Sequence, residues 1–274
     1  MSMIQYLYLI GATALSLLLG AGLLHLLPKI GTPGKALSRW VCRGIGLDLM
    51  ITYFTVLPMI VGAIVLCWLG LIAAIAGQIL GLMIWIQLHE LAHPAARKGP
   101  RIVKVLNRSV GRFRNHTALW VTSLVVPMFW VIRVAQWVVY PPLTWTVRLP
   151  AYKSTEWVNV SRHKFEGLVG HDLIWCLYCD WMTGVWSLGT EMLRNVESFW
   201  CPIRFYDGNK CENCTTDFPD IDNGWVRADG TMQEVVDVLK TKHAEGDHSW
   251  FGHPGRVTIE GKPQTGDAET EDSQ

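Results

Sequence analysis

The first half of the chain is built from long apolar stretches that few polar side chains interrupt. Ile4 to Leu27 is apolar apart from Gln5, Thr13, Ser16 and His25. At about 1.5 Å per residue it reaches across a hydrocarbon core of roughly 30 Å. Ile51 to Leu88 carries no charge at all. That is too long for one upright span and suits two, with the turn expected at Trp68-Leu69-Gly70, where Gly turns the chain and Trp meets the interface. One long tilted helix is the competing geometry. Thr117 to Tyr140 is less regular, with a short uncharged core, Ala118 to Ile132, broken by Pro127 and followed by Arg133. A charge at mid-bilayer costs on the order of 3 kcal/mol. An interfacial or re-entrant segment is therefore favoured here over a fourth span.

Pro141-Pro142 is read as closing this part. Leu173 to Leu188 is apolar but contains Cys176, Cys179 and Asp180, which predicts a buried or membrane-grazing helix. Met232 to Leu239 predicts a short amphipathic helix. From about Thr258 the composition of Gly, Glu, Asp, Thr, Gln and Ser predicts a disordered acidic tail. The expected domains are 1–142, transmembrane with two basic loops, 143–257, acidic and Trp/Cys-containing, and 258–274, the tail. The expected fold class is an all-α polytopic membrane protein. It has three transmembrane helices, a candidate fourth, and a small Cys-containing, helical to irregular, water-facing C-terminal domain.

Charge sharpens this division. Residues 1–142 hold two acids, Asp48 and Glu90, against twelve Lys and Arg; residues 143–274 hold 21 acids against twelve. The halves therefore carry about +10 and −9 within a net charge of +1. Eleven of the first half's twelve positive charges, all but Arg133, fall in two loops. One holds Lys29, Lys35, Arg39 and Arg43; the other runs from Arg97 to Arg114 through Lys98, Arg101, Lys104, Arg108 and Arg112. The positive-inside rule places both on the cytoplasmic side and the N-terminus outside. The N-terminal stretch lacks a basic n-region, so it reads as a retained helix and not a cleaved signal. Fourteen Trp fit a chain rich in membrane interface. The expected location is the inner or plasma membrane of a bacterium. The acid-free second loop suits anionic lipid headgroups or an acidic surface, including the chain's own second half. Nucleic acid is excluded as a partner, because aromatic interleaving and a soluble basic fold are missing.

His89-Glu90-Leu91-Ala92-His93 is an H-E-x-x-H string at the end of the expected third span. On a helix its two His lie on one face, able to hold a Zn²⁺ while Glu90 activates a bound water. The five residues resemble the zincin motif, and their place at a membrane helix end is similar to the intramembrane site-2 proteases. That resemblance implies His89 and His93 as ligands, Glu90 as base, and a downstream Asp as third ligand; Asp180 is the candidate, without the family's flanking pattern. The plainer reading is interfacial, with Glu90 paired to Arg97 or Arg101 and the His side chains at headgroups or on another cofactor such as haem.

The cysteines carry the second candidate chemistry. Cys176-Leu-Tyr-Cys179 and Cys211-Glu-Asn-Cys214 are two C-x-x-C pairs with the spacing logic of a four-thiolate structural Zn²⁺ site. Cys201 is a spare ligand. Disulfides in an oxidising compartment, or a redox or iron–sulfur role, are the alternatives. His171 and Asp172 stand one turn before Cys176, in a stretch dense in His163, Glu166, Asp180, Glu191 and Glu197. The expected function is an accessory, assembly or interaction subunit of a membrane protein complex, with other membrane subunits as partners. A membrane-embedded zinc metallopeptidase is the alternative.

Overall fold

The computed structural model describes residues 2–208 and 225–244. Among them the chain is all-helical, with two isolated bridges and no strand. Helices α1 (Met3–Leu26), α2 (Gly31–Val41), α3 (Gly44–Ile51) and α4 (Leu57–Ala92) build the first part. Then come α5 (Pro94–Lys98), α6 (Ile102–Val110), α7 (Arg112–Ser123), α8 (Val126–Val138) and α9 (Tyr140–Val147). Helices α10 (Ser154–Trp157), α11 (Gly170–Trp200) and α12 (Met232–Ala244) complete the set. Three stretches are long and apolar enough to cross a membrane: Met3–Lys29, Gly44–Ala92 and Arg112–Val147. The chain is a membrane protein on that length and composition.

Gly44–Ala92 doubles back on itself. Leu66 and Cys67 leave helical geometry inside α4, and Cys67 takes φ 55°, a left-handed value unusual for a side-chain-bearing residue. Beyond the turn the backbones press together. A Cβ added at Gly62 would overlap the Gly70 carbonyl oxygen, and one at Gly70 would overlap that of Gly62. Further along, Gln78 Nε2 donates to the Phe54 and Thr55 carbonyls at 2.9 and 2.6 Å. The stretch is therefore two antiparallel limbs, and the single tilted helix is overturned. The turn lies at Leu66–Cys67, just before the expected Trp68-Leu69-Gly70. Gly70 serves close approach of the two limbs, the small-residue packing that membrane helices use.

Two units compose the chain: Met1–Phe129 with Lys153–Val185, and Trp130–Tyr152 with the chain from Trp186 onward. In the first unit, α1 runs parallel to the second limb of α4. Cβ atoms at Gly77 and Gly81 would crowd Ile10, Thr13 and Ala14, so these glycines let the two backbones meet. Tyr53 from the other limb donates to the Ser16 carbonyl at 2.7 Å. The parallel run puts the C-terminal ends of α1 and α4 together, and with them the start of both basic loops. Residues 153–160 pack on α3: the Gly44 N–H donates to the Val158 carbonyl at 2.7 Å, and the Val160 N–H to that of Cys42 at 2.9 Å. Buried Asp48 on α3 lies 3.5 Å from the indole N–H of Trp181 on α11.

The segment expected to be interfacial, 117–140, belongs to a helical stretch of 36 residues with short turns at Leu124–Val125 and at Val139. The charge that argued against a span is not exposed to lipid. In the second unit Arg133 is wholly buried, donates to Gln136 Oε1 at 2.7 Å, and lies 5.0 Å from the Trp137 ring centre. Such pairing removes much of the cost of an intramembrane cation. Helix α8 ends at Val138, a turn follows at Val139, and Pro141-Pro142 then sits in the first turn of α9, where a missing N–H costs nothing.

The same unit holds further buried polar groups: Asn195 bonds to Tyr152 and to the Glu191 carbonyl, and Arg194 pairs with Glu191 at 3.2 Å. The expected tail, 258–274, lies outside the described residues.

Candidate functional site

The chemistry-bearing string closes the second limb of α4. Pro94 disfavours helical geometry at the residue before it, and His93 leaves the helix at φ −124°, ψ 64°. His89 and His93 stack with ring centres 4.4 Å apart. Trp85 lies 4.8 Å from His89, and His25 of α1 lies 6.4 Å from His93. Hydrogen bonds fix opposite tautomers. His93 Nδ1 is 2.9 Å from the His89 carbonyl and must donate, which leaves its Nε2 lone pair bare. His89 Nδ1 accepts from the Gly170 N–H at 3.2 Å, so the His89 proton sits on Nε2. As arranged, one of the two His rings offers a metal-ligating lone pair.

Glu90 is engaged on both oxygens. Oε1 accepts from Arg101 Nη2 at 2.8 Å and faces the His171 N–H at 3.5 Å; Oε2 lies 3.8 Å from Arg97 Nε. The Arg101 guanidinium, 3% exposed, turns its Nε to Asp172 Oδ2 at 2.7 Å, and its Nη2 also reaches the Val169 carbonyl at 3.2 Å. Asp172 Oδ1 accepts from the Val103 N–H at 3.0 Å. Arg101 thus ties the end of α4, the start of α6 and the first turn of α11 into one network. Carboxylates at a helix N-terminus also satisfy its free N–H groups and its positive dipole. Gly170 permits the approach, since a Cβ there would overlap the Glu90 carboxylate, and its φ of 52° suits glycine.

Electrostatics hold the network charged. Burial pushes the Asp172 carboxyl up, but neighbouring His171, the Arg101 guanidinium and the Val103 N–H together bring it below the ordinary carboxylate value. For Arg101, burial disfavours the charge, and bonds to Glu90 and Asp172 outweigh it. Beyond the network, α7 and α11 run parallel along an aromatic seam. His116 meets His171 at 4.9 Å, Trp120 meets Trp175 at 5.7 Å, and the Tyr178 hydroxyl donates to the Thr122 carbonyl at 3.0 Å.

The other expected site residues fall elsewhere. Asp180 Oδ2 accepts from the N–H groups of Ser161 and Arg162 at 2.7 and 3.1 Å, holding the loop before α11. Cys176 is half-buried and Cys179 exposed, one turn apart on α11, and no disulfide joins the described cysteines. Burial pushes the Cys176 thiol up against the pull of Arg162. Cys211 and Cys214 lie outside the described residues. Among the described residues no three side chains of His, Cys, Asp or Glu converge as a metal site.

Sequence reading paired Glu90 with Arg97 or Arg101; the structure pairs it with both. It missed Asp172 as the second acid on Arg101, and it missed His25 beside His93. A polar residue ending each of two apolar stretches was the available signal for the latter. Fold and site together define the chain as a polytopic helical membrane protein whose polar residues at one span end are linked in a buried ion-pair network. No protein family, curated protein or solved structure matches the chain.

Proposed function

We propose that this protein is a non-enzymatic accessory, assembly or interaction subunit of a membrane protein complex. Its spans anchor a scaffold, and α11 and the following residues present a surface to other membrane subunits. The observation that supports this most is the placement of Glu90. The residue that a hydrolase would need as a free base is held by Arg101 beside the N-terminus of α11, where it organises structure. The zinc site proposed with this function uses Cys176, Cys179, Cys211 and Cys214 and staples the C-terminal half. The basic segments face anionic lipid on the cytoplasmic side of a bacterial inner membrane. The metallopeptidase alternative keeps His89 and His93 as ligands and Glu90 as base, and it requires the Arg101 and Gly170 bonds to be given up.

Mild-detergent purification of the full chain tests this reading. A stoichiometric membrane partner is expected, with zinc retained in His89→Ala and lost in Cys211→Ser. A monomer without partners, or zinc lost in His89→Ala with turnover abolished in Glu90→Gln, would move the peptidase reading to the front.

A further inference from the structure

We propose that α6 lies in the plane of the membrane, its apolar face in the acyl boundary and its basic face on anionic lipid headgroups. This rests on the membrane reading above and gives its lipid contact a particular helix. At 100° per residue Ile102, Val103, Val105, Leu106 and Val110, with Ser109 among them, fall on one side of α6, and Lys104, Asn107 and Arg108 on the other. The apolar side is not covered by protein. Ile102, Leu106 and Val110 are exposed, Val105 is 59% exposed, and Phe113, just past the helix, is 82% exposed. Asn107 bonds to Asn115 at 2.9 Å, so it is the polar side of α6 that meets the start of α7.

Two further observations commit this face to lipid. The first is position. Arg101 immediately precedes α6 and is bonded to Glu90 in the last turn of a membrane-crossing stretch; Arg112, just after α6, opens the next such stretch. Both ends of a helix about 13 Å long are therefore fixed at the level where spans leave the bilayer. The second is charge. Lys98, Lys104, Arg108, Arg112 and Arg114 surround the helix with no acid in the segment, which complements phosphate-bearing headgroups. Helices with this division of faces bury the apolar side at the headgroup boundary while long basic side chains reach outward.

The test places an environment-sensitive fluorescent amino acid, by nonsense suppression, in the full chain in nanodiscs. Suppression avoids labelling the seven native cysteines. The positions are Val105, Lys104 and, as a span control, Leu15. Spin-labelled lipids carrying the quencher near the headgroup should quench Val105 several-fold more than Lys104, and more in phosphatidylglycerol-containing discs than in pure phosphatidylcholine; lipids carrying the quencher deep in the acyl chain should quench Leu15, which stands near the middle of α1. Quenching at Leu15 but not at Val105 would overturn the α6 assignment and leave the membrane reading intact; loss of quenching at both would sink the membrane reading itself. A blue-shifted but unquenched Val105 would mean a protein covers this face and would overturn the proposal. Quenching independent of phosphatidylglycerol would overturn its anionic half.

Discussion

Gln78 Nε2 donates to the Phe54 carbonyl at 2.9 Å, across the two limbs of the Gly44–Ala92 hairpin. The reason lies at Pro58. It has no N–H, so the carbonyl four residues earlier, Phe54, loses its α-helical donor. Thr52–Val56 opens into a π-turn at the same place. In hydrocarbon no water can supply the missing bond, so a side chain from the neighbouring limb does.

Gln78→Leu should therefore destabilise the protein by about 1 kcal/mol, the scale of an interhelical hydrogen bond in a membrane. Pro58→Ala restores a donor to Phe54 and should reduce that loss. A double-mutant cycle, read by unfolding in mixed detergent micelles, is expected to give a coupling energy above about 0.5 kcal/mol. Additive effects would show that Gln78 and Pro58 are unrelated.

Gly77 and Gly81 set how closely α1 approaches. A Cβ at Gly77 would stand 2.7 Å from the Ile10 carbonyl oxygen and from Thr13 Cβ, and neither can move without moving α1. Gly77→Val is expected to cost about 1–3 kcal/mol, as overpacking does. Gly22→Val, on α1 with nothing within 4 Å of its Cβ position, is the comparison and should change stability far less. Equal melting temperatures for the two variants would refute this packing.

The spans were legible because hydrophobic length is a property of the sequence alone. Apolar runs of the right length flanked by Lys and Arg need no tertiary knowledge to read. The reversal inside Ile51–Leu88 was legible as an event, and its position was off by a few residues because Gly70 looked like a turn glycine when it is a packing glycine. Arg133 misled for a related reason. A charge in an apolar window reads as costly until the neighbours that bury it, Gln136 and Trp137, are seen to face it. The string at 89–93 shows the limit most clearly. Its spacing is the same whether Glu90 awaits a water or grips Arg101, and only the fold brings Gly170 and Asp172 to that spot. For Cys176, Cys179, Cys211 and Cys214 the metal stays a proposal read from spacing.

Arg101 should be the least replaceable residue of the network. Arg101→Ala leaves buried Asp172 without its counter-charge and Glu90 with only the half-exposed Arg97 at 3.8 Å, and losing one partner of a buried pair costs about 3–5 kcal/mol. Arg101→Lys should recover little, since a single ammonium cannot present Nε and Nη2 to two carboxylates at once. Glu90→Gln keeps an oxygen acceptor for Nη2, leaves Asp172 in place, and should cost about 1–2 kcal/mol. Detergent unfolding would rank the three. A Glu90→Gln effect as large as that of Arg101→Ala would contradict the view of Arg101 as the centre.

Asp172 gives the network a pH limit. Its carboxyl is held below the ordinary value near 3.9 in the folded chain. A group of this kind contributes its stability above the unfolded value and loses it as pH falls through the folded one. The contribution should therefore be fully present at neutral pH and should fade only below about pH 4. Asp172→Asn removes the group and its pH dependence together. Melting temperatures of wild type and Asp172→Asn, taken from pH 7 down to pH 3, should differ by a constant amount to about pH 4 and then converge. The convergence should accompany release of α11, seen as faster hydrogen exchange at the Val103 N–H, which Asp172 Oδ1 protects. A gap that stays constant to pH 3, or one that closes between pH 6 and 7, would show that Asp172 is not the titrating group. The latter result would point instead to a histidine of the network.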